Sequence, residues 1–179
     1  MKDLDSMTIR EIGVPSEVLM ERAALKVVEE TEKYLQKDER ILVVCGSGNN
    51  GGDGIAVARL FHLKGIRVEF YMVGNKDKMT RETALQYKIA SGYRVPEVNN
   101  PQWSEYTTIV DAVFGVGLTR PIEGHYAAII HEMNSARAKK IAVDIPSGVN
   151  GDTGLEMGIA FSADLTVTFA YRKRGLCFY

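Results

Sequence analysis

The chain has 179 residues, a formal net charge of -1 and a sequence pI of about 6.3. Its length suits one globular domain with a sizeable hydrophobic core, and its balanced charge excludes a strongly basic nucleic-acid-binding protein. Because no apolar stretch reaches the roughly 18 residues of a membrane span and the first residues lack the apolar segment of a secretory signal, we expect a cytoplasmic protein with no membrane partner.

The apolar pattern predicts alternating helices and strands. A first helix follows Ser16, the expected N-cap, and should bury four residues at helical spacing: Leu19, Ala23, Val27 and Val28. Strands are predicted over 40–45, 67–73, 106–115, 140–145 and 164–170, and further helices over 54–64, 80–92 and 125–136. Since parallel neighbours need such helical crossovers, the sequence predicts an α/β protein with a mostly parallel, doubly wound central sheet.

Polar clusters follow three of the predicted strands at their carboxyl ends. The first is the glycine-rich loop GSGNNGGDG (46–54), the second is Asp111 with FGVGLTRP (114–121), and the third is Asp144 with IPSG (145–148). Ligands of doubly wound sheets bind outside the carboxyl ends of the strands. We therefore expect the three clusters to meet in one crevice.

The glycine-rich loop predicts an anion site, because free backbone N–H groups and the positive end of a helix dipole point the same way there. It lacks the Gly-Lys-Ser/Thr ending of a Walker A motif, but three glycines fit the dinucleotide pattern G-x-G-x-x-G: Gly46, Gly48 and Gly51. Glu69 lies about where a ribose-binding acid would be, with a solvent-facing strand position as the alternative. For the loop itself the alternative is a tight turn, which would not also require three short polar side chains: Asn49, Asn50 and Asp53.

Two carboxylates lie at predicted strand ends. Asp111 interrupts an apolar run, and a buried carboxylate is costly without a cation or several hydrogen-bond donors. Its candidate partners are a bound metal, Arg120, or backbone N–H groups of the adjoining turn, and a purely structural role bonded to loop amides is the alternative. Asp144 poses the same problem in the turn that contains Ser147. We expect one carboxylate to be held ionised by a cation and the other to move protons.

The remaining polar features favour structural roles. Three histidines lack ligand spacing and are expected at the surface: His62, His125 and His131. The cationic segment YRKRG (171–175) is expected to be a solvated turn, with a phosphate contact as the alternative. Cys45 and Cys177 are too few for a disulfide framework or a zinc site and are expected at or near the core.

Five segments together resemble one known family. They are LMERAALKVVEE (19–30), NNGGDG (49–54), DAVFGVGL followed by IEGHYAAII (111–118 and 122–130), VDIPSGVNGDTG (143–154) and ADLTVTFA (163–170). In this order they resemble the YjeF N-terminal domain family, the NAD(P)H-hydrate epimerases, over practically the whole chain. The resemblance implies a Rossmann-like three-layer sandwich that interconverts the R and S forms of hydrated NADH and NADPH (NADHX and NADPHX), so that a partner NAD(P)HX dehydratase can restore the cofactor.

The resemblance also implies roles for individual residues. A potassium ion is expected as cofactor, with Asn50, Asp111 and Ser147 as ligands helped by backbone carbonyls. Asp144 is expected to contact the substrate and to be the catalytic proton-transfer group. The other implied substrate-binding residues are Asn49, Asn50, Gly51, Gly52, Asp53, Gly115, Val116, Gly117, Leu118, Thr119, Arg120, Pro121 and Tyr126.

We expect residues 1–179 to form one domain, because the sequence has no repeat or linker. Family members usually continue with another strand or two, so the domain is expected to be truncated at its C-terminal end, leaving a sheet edge that a second copy would cover in a homodimer. Two other functions stay open. One is a non-catalytic nucleotide-binding or scaffold module of the same fold, and the other is a nicotinamide-dependent dehydrogenase.

Overall fold

A five-stranded parallel sheet with helices on both faces forms the fold in a computed structural model that describes residues 7–178. The strands are β1 (Arg40–Cys45), β2 (Arg67–Met72), β3 (Thr108–Ala112), β4 (Lys139–Val143) and β5 (Leu165–Val167). The main helices are α1 (Ser16–Glu32), α2 (Asn49–Leu63), α3 (Arg81–Gly92) and α4 (Gly124–Ser135). Short 3₁₀ helices occupy Lys76–Lys78, Trp103–Glu105 and Arg174–Cys177.

The strand order places a crevice at the carboxyl ends of two central strands. The order is β2-β1-β3-β4-β5, and every neighbouring pair is parallel. The chain therefore leaves β1 toward β2 and then crosses back to β3, so the connections that follow β1 and β3 run to opposite faces of the sheet. Such a switch in direction opens a crevice at the carboxyl ends of the two strands.

Alternate residues of the strands enter two hydrophobic cores. Ile41 and Val43 of β1 pack with apolar residues of α1, α2 and α3 on one face, while Leu42 and Val44 pack with Ile130 of α4 on the other. Because both faces are covered, residues 41–45 of β1 and 109–112 of β3 are apolar apart from Asp111, as buried parallel strands usually are. The arrangement confirms the predicted three-layer α/β sandwich.

Several predicted details differ from the structure. Helix α1 includes Ser16, and its N-cap is Pro15, which makes no side-chain cap hydrogen bond. Its buried residues are Met20, Ala24, Val27, Val28 and Thr31, so the expected burial of Leu19 and Ala23 was wrong by one position along the helix. Cys177, expected at or near the core, is exposed, whereas Cys45 is buried as predicted.

Helix α2 differs most from the prediction, because it begins at Asn49 inside the glycine-rich segment. Residues 49–54 of the predicted loop thus form the first turns of α2. Helix α3 is capped by Thr80, whose side chain accepts a hydrogen bond from the backbone N–H of Thr83. Among residues 7–178, no helix is both long and apolar enough to cross a membrane.

The close packing of α2 on the sheet depends on Gly54. A Cβ atom on Gly54 would lie 2.4 Å from the Ala112 Cβ and 3.0 Å from the Cys45 Sγ. We expect Gly54→Ala to lower the free energy of unfolding by about 1–3 kcal/mol, because overpacking outweighs the better helix propensity of alanine. Urea denaturation followed by circular dichroism measures this change.

Gly92, the last residue of α3, provides the matched control. A Cβ there would have no neighbour within 4 Å. Gly92→Ala should leave the free energy of unfolding unchanged or raise it by up to about 1 kcal/mol. Equal destabilisation by the two substitutions would refute the packing argument.

Candidate active site

A cleft of about 1040 Å³ opens at the carboxyl ends of β1, β3 and β4. Its walls are formed by the start of α2, the segment that follows β3, Asp144 after β4, residues 168–170 after β5, and one side of α1. Three of these walls belong to the polar clusters that the sequence placed at strand ends. The predicted convergence on one crevice is thus observed.

The N-terminus of α2 forms the floor of the cleft near β1. Gly48 is the N-cap, and its carbonyl accepts the backbone N–H groups of Gly51 and Gly52 at 2.9 and 3.3 Å. Within residues 7–178, no acceptor pairs with the backbone N–H groups of Asn49 and Asn50, both of which line the cleft. Free N–H groups at the positive end of a helix dipole make a binding site for a phosphate.

Close backbone packing fixes this helix start. A Cβ on Gly51 would lie 1.8 Å from the carbonyl oxygen of Gly46, so only glycine allows the approach. From the other side, the Thr83 hydroxyl donates to the Gly48 carbonyl at 2.8 Å, and the Thr80 N–H donates to the Ser47 carbonyl at 3.0 Å. The loop before α2 is therefore held rigidly between β1 and α3.

Asp111 is fully buried directly beneath the cleft wall. Its Oδ1 accepts the Ser147 hydroxyl at 2.6 Å and the Val113 N–H at 3.1 Å, and its Oδ2 accepts the Ser147 N–H at 2.7 Å. The Ser147 hydroxyl in turn accepts the Phe114 N–H at 2.8 Å. Burial raises the pKa of Asp111 to about 6, although the hydrogen bonds from Ser147 and Val113 act to lower it.

Asp144 lies on the cleft wall in a strained turn. Its φ is +68°, in the left-handed region, and the Ile145 N–H donates to the Val143 carbonyl at 2.8 Å across it, which makes a γ-turn. Three donors reach its Oδ1: the Phe169 N–H at 3.1 Å, the Thr168 hydroxyl at 3.4 Å, and the Lys173 ammonium. Such strain persists only where surrounding contacts hold it, and it is concentrated at functional sites.

Aromatic and cationic side chains complete the walls. The rings of Phe114 and Tyr126 lie 4.9 Å apart between centroids, and both line the cleft. Three cationic residues also line it: Arg22, Lys26 and Arg120. Lys26 is paired with Glu29 and Glu30, whereas Arg22 and Arg120 have no ion pair within residues 7–178.

Most of the predicted site residues lie at this cleft. Its lining includes Asn49, Asn50, Asp53, Gly115, Val116, Gly117, Leu118, Thr119, Arg120, Tyr126 and Asp144. Asp111 and Ser147 lie beneath the wall, while Gly51 and Gly52 pack inside the protein and Pro121 lies outside the cleft. The Asn50 side chain lies against the backbone of Gly115, and its buried Nδ2 has no partner among the described residues.

The structure corrects one expectation about the last segment. Lys173 belongs to the supposedly solvated turn, yet it is only 7% exposed and contacts Asp144. Sequence reasoning missed it because it stands between Arg172 and Arg174, which are exposed. Hydropathy alone cannot single out the inward-facing member of such a run.

The position of Glu69 argues against a dinucleotide-type ribose contact. Glu69 lies in the middle of β2, beside Leu42 in the sheet register, and not at the carboxyl end of the strand. Its carboxylate binds the Arg40 guanidinium at 3.0 Å and the Tyr106 hydroxyl at 2.8 Å. The acid on which the dehydrogenase hypothesis depends is therefore already engaged away from the cleft.

Comparison with known proteins gives matches to one family. A family model described as YjeF-related protein N-terminus matches residues 16–175. A Limosilactobacillus fermentum protein named NAD(P)H-hydrate epimerase is 46% identical over 177 residues, which cover 98% of this chain and 85% of the relative. An Oenococcus oeni protein of the same name is 50% identical over 178 residues, covering 97% of this chain and 84% of that relative.

A solved structure agrees with the fold. The crystal structure of yeast YNL200c matches 97% of this chain and 78% of the yeast chain with a TM-score of 0.84 at 22% sequence identity. Since identity is low, this likeness concerns the fold alone. The family model and the bacterial relatives carry the assignment: the chain belongs to the family of YjeF-related N-terminal proteins.

Proposed function

We propose that this protein is an NAD(P)H-hydrate epimerase that interconverts the R and S forms of NADHX and NADPHX. The proposal is carried by one observation: the Asp144 carboxylate is held at the wall of the cleft into which the unpaired N–H groups at the start of α2 open. Similarity to relatives named NAD(P)H-hydrate epimerase supports it. No particular contact in the cleft favours the non-catalytic scaffold alternative.

Substrate binding follows from the chemistry of the walls. The N–H groups of Asn49 and Asn50 would receive the pyrophosphate, with Arg120 supplying a cation from the segment that follows β3. The segment Gly115–Pro121 would close over the dinucleotide. Tyr126 beside Phe114 offers an aromatic surface to a ring of the substrate.

The proposed reaction removes and returns water at one ring carbon. In one direction, the ring nitrogen lone pair expels the hydroxyl group, which takes a proton from cleft water and leaves as water, giving a flat iminium cation and a hydroxide ion that the proton later released by Asp144 neutralises. A second water adds to the opposite face and loses one proton to the Asp144 carboxylate, which later releases it to solvent. In the reverse direction protonated Asp144 protonates the leaving hydroxyl, as general acid–base catalysis requires.

We propose a potassium site around Asp111, Ser147 and Asn50. The oxygen atoms fit a hard, weakly bound cation: a carboxylate with no cationic partner within residues 7–178, the Ser147 hydroxyl oxygen and the Asn50 amide oxygen. No three His, Cys, Asp or Glu side chains form a metal cluster in the described part of the chain, which disfavours a transition metal. A bound cation would supply positive charge that keeps Asp111 ionised.

The wider context of the enzyme is also proposed from the family resemblance. Residues 1–179 would act as one epimerase domain, with the product passed to an NAD(P)HX dehydratase. A homodimer stays a prediction.

Substitution of Asp144 tests the proposed activity. We expect Asp144→Asn to lower kcat at least about 100-fold, because asparagine tolerates the left-handed backbone but cannot take a proton. Purified R and S epimers, separated by chromatography and corrected for spontaneous conversion, give the rate. Asp152→Asn, at an exposed position, is the matched control. A wild-type rate no faster than the spontaneous one would refute the proposed function.

Exchange of salts tests the cation site. At equal ionic strength, KCl should raise Tm relative to tetramethylammonium chloride by roughly 3–5 °C if potassium is at about ten times its Kd, because binding to the native state stabilises it. Asp111→Asn should abolish the difference, while Asp152→Asn should keep it. The same Tm in both salts would contradict the proposed site.

A further inference from the structure

Lys173 is a buried cation placed behind the proposed catalytic carboxylate. Its side chain is 5% exposed, and its Nζ forms an ion pair with Asp144 Oδ1. The residue itself is absent from the lining of the cleft, whereas Asp144 is part of it. Lys173 can therefore influence a bound substrate through the cleft residues that it contacts, and Asp144 is the one of opposite charge.

We propose that Lys173 is a positioning residue for the epimerisation, an inference that rests on the proposed function. It holds the Asp144 carboxylate in one orientation, with Oδ1 turned to the protein and Oδ2 left for the substrate or its attacking water. The contacts of the two side chains carry this proposal.

All three ammonium protons of Lys173 have acceptors. Besides Asp144, the Nζ lies 2.8 Å from the Thr168 hydroxyl oxygen and 3.2 Å from the Phe169 carbonyl oxygen. A lysine ammonium has three N–H donors and no acceptor, so all of its hydrogen-bonding capacity is used here and the orientation of the ammonium group is fixed. The flexible side chain is thereby held in a single geometry.

The carboxylate has one engaged oxygen and one free oxygen. Phe169 N–H, Thr168 hydroxyl and Lys173 ammonium all approach Oδ1, and no donor among residues 7–178 approaches Oδ2. Because Asp144 lines the cleft, Oδ2 is the atom available to a substrate. A base that accepts a proton needs such a free, oriented oxygen within reach.

The backbone around Lys173 has its own supports, so the ammonium is not needed to anchor the segment. The Gly175 N–H donates to the Gly151 carbonyl at 2.8 Å, and the Leu176 N–H donates to the Lys173 carbonyl at 3.1 Å. A buried ion pair that only stabilises the fold can often be replaced by apolar side chains without loss of stability. These contacts allow a variant that removes the charge while keeping the chain path.

The test combines Lys173→Met, Asp144→Asn and the double variant, with Arg172→Met as the matched control at an exposed neighbouring cation. We expect Lys173→Met to lower kcat about 10- to 100-fold while KM stays within about threefold, because orientation is lost and binding contacts are kept. Lys173→Arg should restore part of the rate. Arg172→Met should match wild type.

The double variant separates positioning from a general structural effect. If Lys173 acts through Asp144, the double variant has the same kcat as Asp144→Asn alone, because the effects are not additive. Multiplied losses, or a folded Lys173→Met variant with wild-type kcat, would overturn the proposal. Circular dichroism establishes that each variant is folded.

A readout without turnover keeps this inference distinct from the proposed function. In ¹⁵N-lysine-labelled protein, the buried Lys173 ammonium should give a slowly exchanging NMR signal that vanishes in Lys173→Met and shifts in Asp144→Asn. If the wild type fails to epimerise but shows this signal, the proposed function fails while the ion pair stands. If the signal is missing from active wild-type protein, the positioning role is refuted.

Discussion

The burial of Asp111 is the constraint on which the site depends. A carboxylate inside an apolar strand must be given donors, and the structure supplies them from Ser147 and Val113. Ser147 follows β4, so these hydrogen bonds join the end of β4 to the end of β3. The turn that presents Asp144 is thereby fixed relative to the segment 113–120, and the cleft acquires two walls of defined position.

The third wall is set by backbone contact. Because Gly51 lies against the Gly46 carbonyl and Thr83 binds the Gly48 carbonyl, the start of α2 cannot move without disturbing β1 and α3. The strand order then places this helix end at the point where the chain changes direction between β1 and β3. The unpaired N–H groups of Asn49 and Asn50 and the Asp144 carboxylate thus meet through topology, although 90 or more residues separate them in the sequence.

The sequence predicted the sheet well because β1 and β3 consist mostly of apolar residues, as buried parallel strands do. It misjudged α2, since glycine and asparagine disfavour helices and only tertiary contacts make a helix begin at Asn49. The predicted buried face of α1 was wrong because Leu19 and Ala23, although apolar, line the cleft. The role of Lys173 was invisible, because its partner Asp144 is distant in sequence and its neighbours are exposed arginines.

Among residues 7–178, donors reach one oxygen of Asp144 and leave the other free, and this has a stereochemical consequence for the proposed reaction. A single proton carrier on one side of a flat intermediate serves additions to its two faces unequally, acting as a base when one epimer forms and as an acid when that epimer reacts. The two epimers can therefore be converted at different rates. The final mixture still obeys the Haldane relation, so such asymmetry governs the speed of repair and leaves the balance of epimers untouched.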